Sequence, residues 1–467
     1  MIDVNSFTKE ASAMDQILAK YKKTGEKFVD NNFHPQKKIN EKYPNLLHGV
    51  SWHRIDAMLK SPLYENVYAD SICQGILGDC YLLSALSRLC MQPELVRAIF
   101  DPRSSIEAGV VIVYFYTSRR KVPVIIDTLI PFKRGTRTPV FAHPKNTTDS
   151  YWFVLVEKAY SKLFGSYSGI IAGNLNKAVY NIFGYLPDNL RTDTFNEEDL
   201  FKKMKKWTTA GCIIGCSIRV YVNSKITHDD VVDNGLVTNH SYLILRVKEA
   251  EGKKFIQLRN PWGEHEWLGD YSYCSDLWTE PLKDQLHFYD ADDGSFWMLM
   301  RDFKKFFSEL DVSRPIKPNC FSQSKIVNFV QGVNSPNVAS FNIICNSPCT
   351  LRIFAEKLCP DGATINVRND YGPGIVNFSS PNTIVVFNTK KFGKSRRYNI
   401  KVFTTSTISK NAKIFVRFIA KSDFKVTMAG EELKRDENVE GNALRKIKKL
   451  NLSPRRHNNF VSIAPLV

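Results

Sequence analysis

Gln74-Gly75-Ile76-Leu77-Gly78-Asp79-Cys80-Tyr81-Leu82-Leu83 is the stretch around which the remainder of the chain is organised. Leu82, Leu83, Leu86, Leu89 and Cys90 recur at helical spacing, which predicts a helix beginning at Cys80 and ended by Pro93. Asp79 stands where a side-chain oxygen would cap that helix, and Gly75 and Gly78 loosen the approach to it. A thiol in the first turn lies at the positive end of the helix dipole, where its anion is favoured. Gln74 is placed to turn an amide N–H towards an oxyanion forming beside Cys80. A small apolar thiol at a helix start also serves as inert core filling, so a nucleophile requires a base elsewhere in the chain.

That base has a candidate far downstream. Asn239-His240-Ser241-Tyr242-Leu243-Ile244-Leu245 opens an apolar run typical of a buried strand, which would hold the imidazole on a rigid element. Phe255-Ile256-Gln257-Leu258 predicts the next strand and leads into Arg259-Asn260-Pro261-Trp262-Gly263. Pro261 biases Asn260 to extended backbone, so its amide can be aimed from the strand end. Cys, then His, then Asn is the order of a cysteine-protease triad in which Asn orients the imidazole.

On these residues the chain resembles the calpain family. QGILGDCYLL is similar to the family's nucleophile motif, GLVTNHSYLIL to its histidine motif and RNPWGEHEW to its asparagine motif. Phe28-Val29-Asp30, Gly49-Val50-Ser51-Trp52-His53-Arg54, Tyr151-Trp152 with Glu157-Lys158-Ala159-Tyr160, Gly165-Ser166-Tyr167 and Asp293-Gly294-Ser295-Phe296-Trp297-Met298 follow in family order, so the likeness covers about residues 28 to 311. The resemblance implies an α+β fold with a papain-like two-lobed cysteine protease core, followed by an antiparallel β-sandwich. It implies Cys80, His240 and Asn260 as the triad, Gln74 and the Cys80 backbone N–H as the oxyanion hole, and Trp262 as a shield over the His240–Asn260 bond. Tyr81 stands where the family usually has Trp, which keeps an aromatic wall of different size.

Length and composition agree with several compact units: 467 residues, 43% of them hydrophobic. A leader over residues 1 to 27 reads as helical or loose. Residues 28 to 190 form the unit bearing Cys80, with strands around 110 to 116 and 122 to 126 and a helix over 153 to 163. Residues 191 to 314 form the second unit, with a helix over 197 to 206, a strand over 212 to 218, and the strands bearing His240 and Asn260. All seven tryptophans lie before residue 315. From 315 to 425 short β-rich runs at 340 to 344, 350 to 355, 383 to 387, 398 to 403 and 414 to 419 alternate with Gly, Pro, Asn and Ser turns, the texture of a sandwich. Residues 426 to 467 form a basic tail, with a short helix predicted over 441 to 450.

The sequence carries no apolar run long enough to span a membrane, no apolar signal segment and no disulfide framework among its ten cysteines, which together predict a cytoplasmic protein. The net charge of +17 is spread along the chain, without zinc-finger spacing or an RNA-binding aromatic signature, so nucleic acid is not an expected partner. Protein substrates are, and an anionic membrane or acidic protein could engage the tail through Arg445, Lys446, Lys448, Lys449, Arg455 and Arg456. Cys212 with Cys216, and Cys345 with Cys349, lack the second pair that a zinc site needs.

Calcium is where the resemblance breaks. Where the family has carboxylate ligands in both lobes, this chain has Ser71 and Ser150 in the first, and Glu266, Tyr273, Asp293 and Ser295 in the second. Asp70 and Asp149 adjoin the two serines, but neighbours in extended chain face opposite ways. Only Glu266 and Asp293 remain as matching ligands, and no calcium-binding helix-loop-helix pattern occurs, so no cofactor is required and weak or absent calcium binding is expected. Two rivals stand beside the peptidase reading. A transglutaminase-type acyltransferase would use Cys and His but typically Asp as the third member, and a catalytically silent adaptor would bind acidic lipid or protein surfaces.

Overall fold

The structure is a computed structural model that describes residues 4–33, 49–57, 67–117, 120–146, 150–218, 234–288, 293–316, 320–329, 338–345, 351–357, 365–369, 375–378, 384–388, 397–404, 412–421 and 423–428. The tail beyond 428, with the helix expected over 441 to 450, and Asp149 and Cys349 lie outside the described residues.

The first half begins with the leader, which is helical: α1 (Val4–Ser12) and α2 (Met14–Thr24). It continues through β1 (Val50–Arg54), β2 (Ile72–Cys73), α3 (Cys80–Cys90), α4 (Pro93–Ala98), β3 (Val110–Thr117), β4 (Arg120–Asp127), β5 (Leu129–Lys133), β6 (His143–Pro144), α5 (Trp152–Leu163) and α6 (Leu175–Phe183). Pro93 does not stop the nucleophile helix. The helix closes at Cys90 through Met91, and Pro93 starts α4 at the position where its missing N–H costs nothing. β3 and β4 form an antiparallel hairpin in register Val110↔Asp127, and the apolar faces of α3, α5 and α6 bury a core that includes Leu82, Leu86, Phe115, Phe153 and Tyr160.

The leader is part of this unit. Ala11 and Met14 pack with Ala108, Val110, Ile112 and Ile125 on the outer face of the hairpin. Polar bonds fasten it. The Lys162 ammonium donates to Glu10 Oε2 at 2.6 Å, to Asp30 Oδ2 at 2.9 Å and to the Ile125 carbonyl at 2.8 Å. One turn earlier, Lys158 is fully buried and donates to the Asp127 carboxylate and to the Leu129 carbonyl at 2.7 Å. Burial depresses the Lys158 pKa, and the Asp127 charge opposes that fall.

The second half runs through β7 (Asn189–Arg191), α7 (Glu197–Thr209), β8 (Ile213–Ser217), β9 (Ser241–Ala250), β10 (Lys253–Arg259), α8 (Glu280–Leu286), β11 (Ser295–Leu299), α9 (Met300–Phe306) and β12 (Glu309–Ser313). Asn196 caps α7 by accepting from the Asp199 N–H at 2.8 Å, and Glu197, Glu198 and Asp199 load its first turn with the favoured charge. The six strands form one sheet in the order β11-β10-β9-β8-β12-β7. Leu243 of β9 and Ile213 of β8 belong to the core of the first half, so the two halves share apolar contact.

Past residue 320 the described chain is strand: β13 (Phe321–Phe329), β14 (Val338–Cys345), β15 (Arg352–Lys357), β16 (Ile365–Asn369), β17 (Ile375–Phe378), β18 (Ile384–Asn388), β19 (Arg397–Thr404), β20 (Ala412–Ala420) and β21 (Phe424–Met428). They pair antiparallel into two sheets, β13-β20-β15-β18 and β17-β16-β19-β14-β21. Phe341 of one meets Phe418 of the other with ring centroids 5.3 Å apart. Tyr180 of α6 stacks on Phe354 at 4.9 Å and donates to Glu356 at 3.2 Å, which joins this region to the first half. No helix among the described residues is long and apolar enough to cross a membrane.

Candidate active site

Cys80 is the first residue of α3 and is half-buried. A helix has no internal acceptor for its first N–H groups, so that end presents donors. The loop leading to it is held closely. A Cβ at Gly75 would stand 2.1 Å from the Phe141 carbonyl oxygen, so glycine is required there for close approach and not for looseness. The Gln74 amide donates to the Leu77 carbonyl at 2.7 Å, which uses one of its two N–H groups.

Asp79 occupies the cap position but makes no side-chain cap bond. Its carboxyl is buried and faces Glu157 of α5, whose Oε1 accepts from the Ala142 N–H at 3.0 Å. Burial raises Asp79 to about 7 against the lowering effect of Glu157. Burial, then the Asp79 charge, raises Glu157 well above the usual carboxylate range. Burial thus biases both carboxyls towards their neutral forms. The expected cap fails because the carboxyl is directed into the protein and away from the helix N–H groups.

His240 directly precedes β9 and is 1% exposed. Asn239 before it adopts the left-handed region at φ 49°, a conformation that Asn tolerates. A register shift between Gln257 and Leu258 in the β9–β10 pairing precedes Asn260 at the end of β10 and re-aims the strand end. Asn260 Nδ2 donates to the carbonyls of Glu264 at 2.8 Å and His265 at 3.2 Å, which fixes the amide. Its Oδ1 lies 2.7 Å from His240 Nε2 and also accepts the Trp262 N–H at 3.0 Å. Oδ1 can only accept, so the neutral imidazole carries its proton on Nε2 and keeps Nδ1 as its base.

The surroundings are aromatic. Trp262 covers the imidazole with centroids 4.7 Å apart, and Tyr242 meets it edge-on at 5.1 Å. Burial raises the Tyr242 phenol, against the backbone hydrogen bond from Val237. Burial lowers His240 to about 4, against the opposing hydrogen bond to Asn260. Unfolded histidine titrates near 6.5, so the unfolded state binds more protons between that pH and about 4, and acid costs stability throughout that window. Urea midpoints should fall from pH 7 to pH 4 by an amount that His240→Gln reduces; an unchanged slope in that variant would remove His240 from the acid response.

Hydrogen bonds cross between the halves close to these residues. The Gln74 N–H donates to the Pro261 carbonyl at 3.1 Å, Ser84 Oγ to the Ser241 carbonyl at 2.9 Å, and Lys145 Nζ to the Gly263 carbonyl at 3.3 Å. Gly263 has φ +76° and a Cβ there would sit 2.9 Å from Cys73 Sγ, so the crossing fits only glycine.

Of the positions considered for calcium, Ser71 and Ser150 are buried, while Asp70 and Tyr273 are exposed. Glu266 Oε1 accepts the Gly294 N–H at 2.9 Å and Asp293 Oδ1 the Ser295 N–H at 2.7 Å. Among the described residues no group of three or more His, Cys, Asp or Glu side chains could hold a metal ion. Glu157 and Arg259 escaped the sequence reading as site residues, although each lies inside a motif quoted for the likeness.

A family model for the calpain family cysteine protease matches residues 28–314. The calpain-1 catalytic subunit of Macaca fascicularis is 29% identical over 316 residues, covering 64% of this chain and 43% of that protein. The human calpain-1 catalytic subunit is 31% identical over 279 residues, covering 57% and 38%. The calpain-type cysteine protease DEK1 of Arabidopsis thaliana is 29% identical over 308 residues, covering 62% and 14%. The chain spans less than half the length of these curated relatives. With the family match extending from the leader's end through β12, and so over more than half of its length, this chain belongs to the calpain family of cysteine proteases.

Proposed function

We propose that the protein is a calpain-like cysteine endopeptidase that performs limited proteolysis with Cys80 as nucleophile, His240 as base and Asn260 as its orienter. The observation that carries this reading is the 2.7 Å contact between His240 Nε2 and an Asn260 oxygen whose amide is pinned by two carbonyls. That arrangement leaves Nδ1 to take the Cys80 proton. The thiolate then attacks a peptide carbonyl, a C–S bond forms, and the oxyanion receives hydrogen bonds from the Cys80 N–H and the second N–H of Gln74. His240 returns the proton to the leaving amine as the C–N bond breaks. Water, deprotonated by His240, cleaves the thioester and regenerates the thiol. We read the two halves as the lobes of a papain-like core with the substrate between them, and the two sheets beyond residue 320 as a β-sandwich.

Calcium has little part in this reading. The cation takes six to eight oxygens, with charged carboxylates dominating the affinity, and Glu266 and Asp293 each already receive a backbone N–H. The donor set does not fit, and the crossing bonds supply the assembly that an added cation would otherwise drive. Millimolar calcium should therefore leave the thermal unfolding midpoint unchanged, whereas a tight stoichiometric isotherm would overturn this.

The test of function is cleavage of an unstructured protein substrate in chelator and in calcium, beside Cys80→Ala. Cleavage in chelator that vanishes in the variant supports a calcium-independent peptidase. Cleavage only with calcium retains the peptidase and rejects its calcium independence. No cleavage in either condition shifts the reading to the silent adaptor.

A further inference from the structure

Arg259 ends β10, next to Asn260, and is 1% exposed. Its side chain leaves the second half and enters the first. One guanidinium nitrogen donates to Ser87 Oγ at 3.1 Å, and the other to the Ile72 carbonyl at 3.0 Å. Ser87 lies two turns beyond Cys80 on the nucleophile helix and passes the chain of bonds on, since its hydroxyl donates to the Leu83 carbonyl at 2.9 Å. Ile72 lies in the strand that leads to Gln74. The guanidinium thus grips both segments that converge on the thiol, from the residue that adjoins the imidazole's orienter.

The energetics single this residue out. Its Nε is buried without a hydrogen-bond partner, and its two bonds go to neutral oxygens. Burial lowers its pKa; the charges of Asp293, Cys73, Cys90 and Asp70 oppose this. A buried cation whose two bonds go to neutral oxygens is costly to hold. Cohesion between the halves does not require the charge, because Leu243 and Ile213 already bury apolar surface across the same boundary. What the fork adds is direction: two donors at fixed separation define how the helix carrying Cys80 lies against the strand carrying Asn260.

We propose that Arg259 is a positioning residue, an internal cation that sets the nucleophile helix and the Gln74 strand in register with the imidazole through Ser87 and the Ile72 carbonyl. This rests on the cysteine peptidase reading for its kinetic consequence, but not for its structural one.

The test uses the full chain with Arg259→Met and, separately, Ser87→Ala, which keeps the arginine and removes its acceptor on the helix. Arg259→Met should still unfold cooperatively, with kcat reduced about 100-fold and KM changed less than about threefold. Ser87→Ala should lower kcat by about tenfold, with KM likewise held. In a Cys80→Ala background, where no activity is involved, hydrogen exchange at residues 72 to 77 and 84 to 90 should rise at least about tenfold in Arg259→Met, with the β3–β4 hairpin unchanged. Unaltered kcat and exchange in either folded variant would overturn the proposal, as would full recovery of Arg259→Met by millimolar calcium. If the unaltered protein cleaves nothing, the peptidase reading fails and the exchange result alone decides the role of Arg259. Should Arg259→Met not fold, Ser87→Ala decides it by the same two readouts.

Discussion

Cys80→Ala is expected to lower peptide cleavage by at least about 10⁴-fold while leaving the fold intact. The thiol sits at the first position of α3 and is half-buried, so its loss opens no deep cavity, and alanine is a good helix former. Unfolding free energy should change by no more than about 1 kcal/mol. His240→Ala should abolish turnover to a similar degree, because without Nδ1 the thiol has no proton acceptor. The double variant should be no worse than either single one, since groups that act as a unit are not additive. Asn260→Ala should cost less, but also destabilise, as it unties the Glu264 and His265 carbonyls and the Trp262 N–H. Initial rates on an unstructured substrate, measured beside thermal midpoints, check all four variants. Residual cleavage above about one per cent in Cys80→Ala would place the nucleophile elsewhere.

The largest effect on stability should come from Asp127→Ala, at about 3–5 kcal/mol. Removing the carboxylate leaves the Lys158 ammonium buried with only backbone carbonyls, and also strips the acceptor from the Asp30 and Leu129 N–H groups at 2.8 and 2.9 Å. Lys158→Met should cost less, about 2 kcal/mol or under, because Asp127 then keeps both backbone donors and methionine fills much of the space. The asymmetry is the diagnostic feature. Urea midpoints at neutral pH measure it, and equal losses from the two substitutions would mean that the pair is not buried as described.

Periodicity made the nucleophile helix, the β3–β4 hairpin, α5, α7 and the strands bearing His240 and Asn260 legible, with ends displaced by a few residues at most. The His240–Asn260 contact was legible too, because Pro261 restricts the strand end and the residue order is that of a known triad. Features set by long-range packing were not. Pro93 reads equally well as a helix stop and a helix start. Gly75 has nothing in its neighbours to announce the Phe141 carbonyl beside it. Asp79 looks like a cap until Glu157, nearly eighty positions away, is brought against it, and Arg259 looks like ordinary strand-end charge until the first half closes over it.

The docking of the leader bears on how the chain is made. Glu10 and Asp30 leave the ribosome well before Lys162, which joins them across separations of 152 and 132 positions. Until α5 emerges, Glu10 and Asp30 lack the ammonium that joins them, and closing so large a loop precedes any reward from that contact. The ammonium that fastens the leader is therefore among the last groups of the nucleophile-bearing half to arrive, and a nascent chain halted before residue 162 holds its leader against the β3–β4 hairpin without the Lys162 bonds.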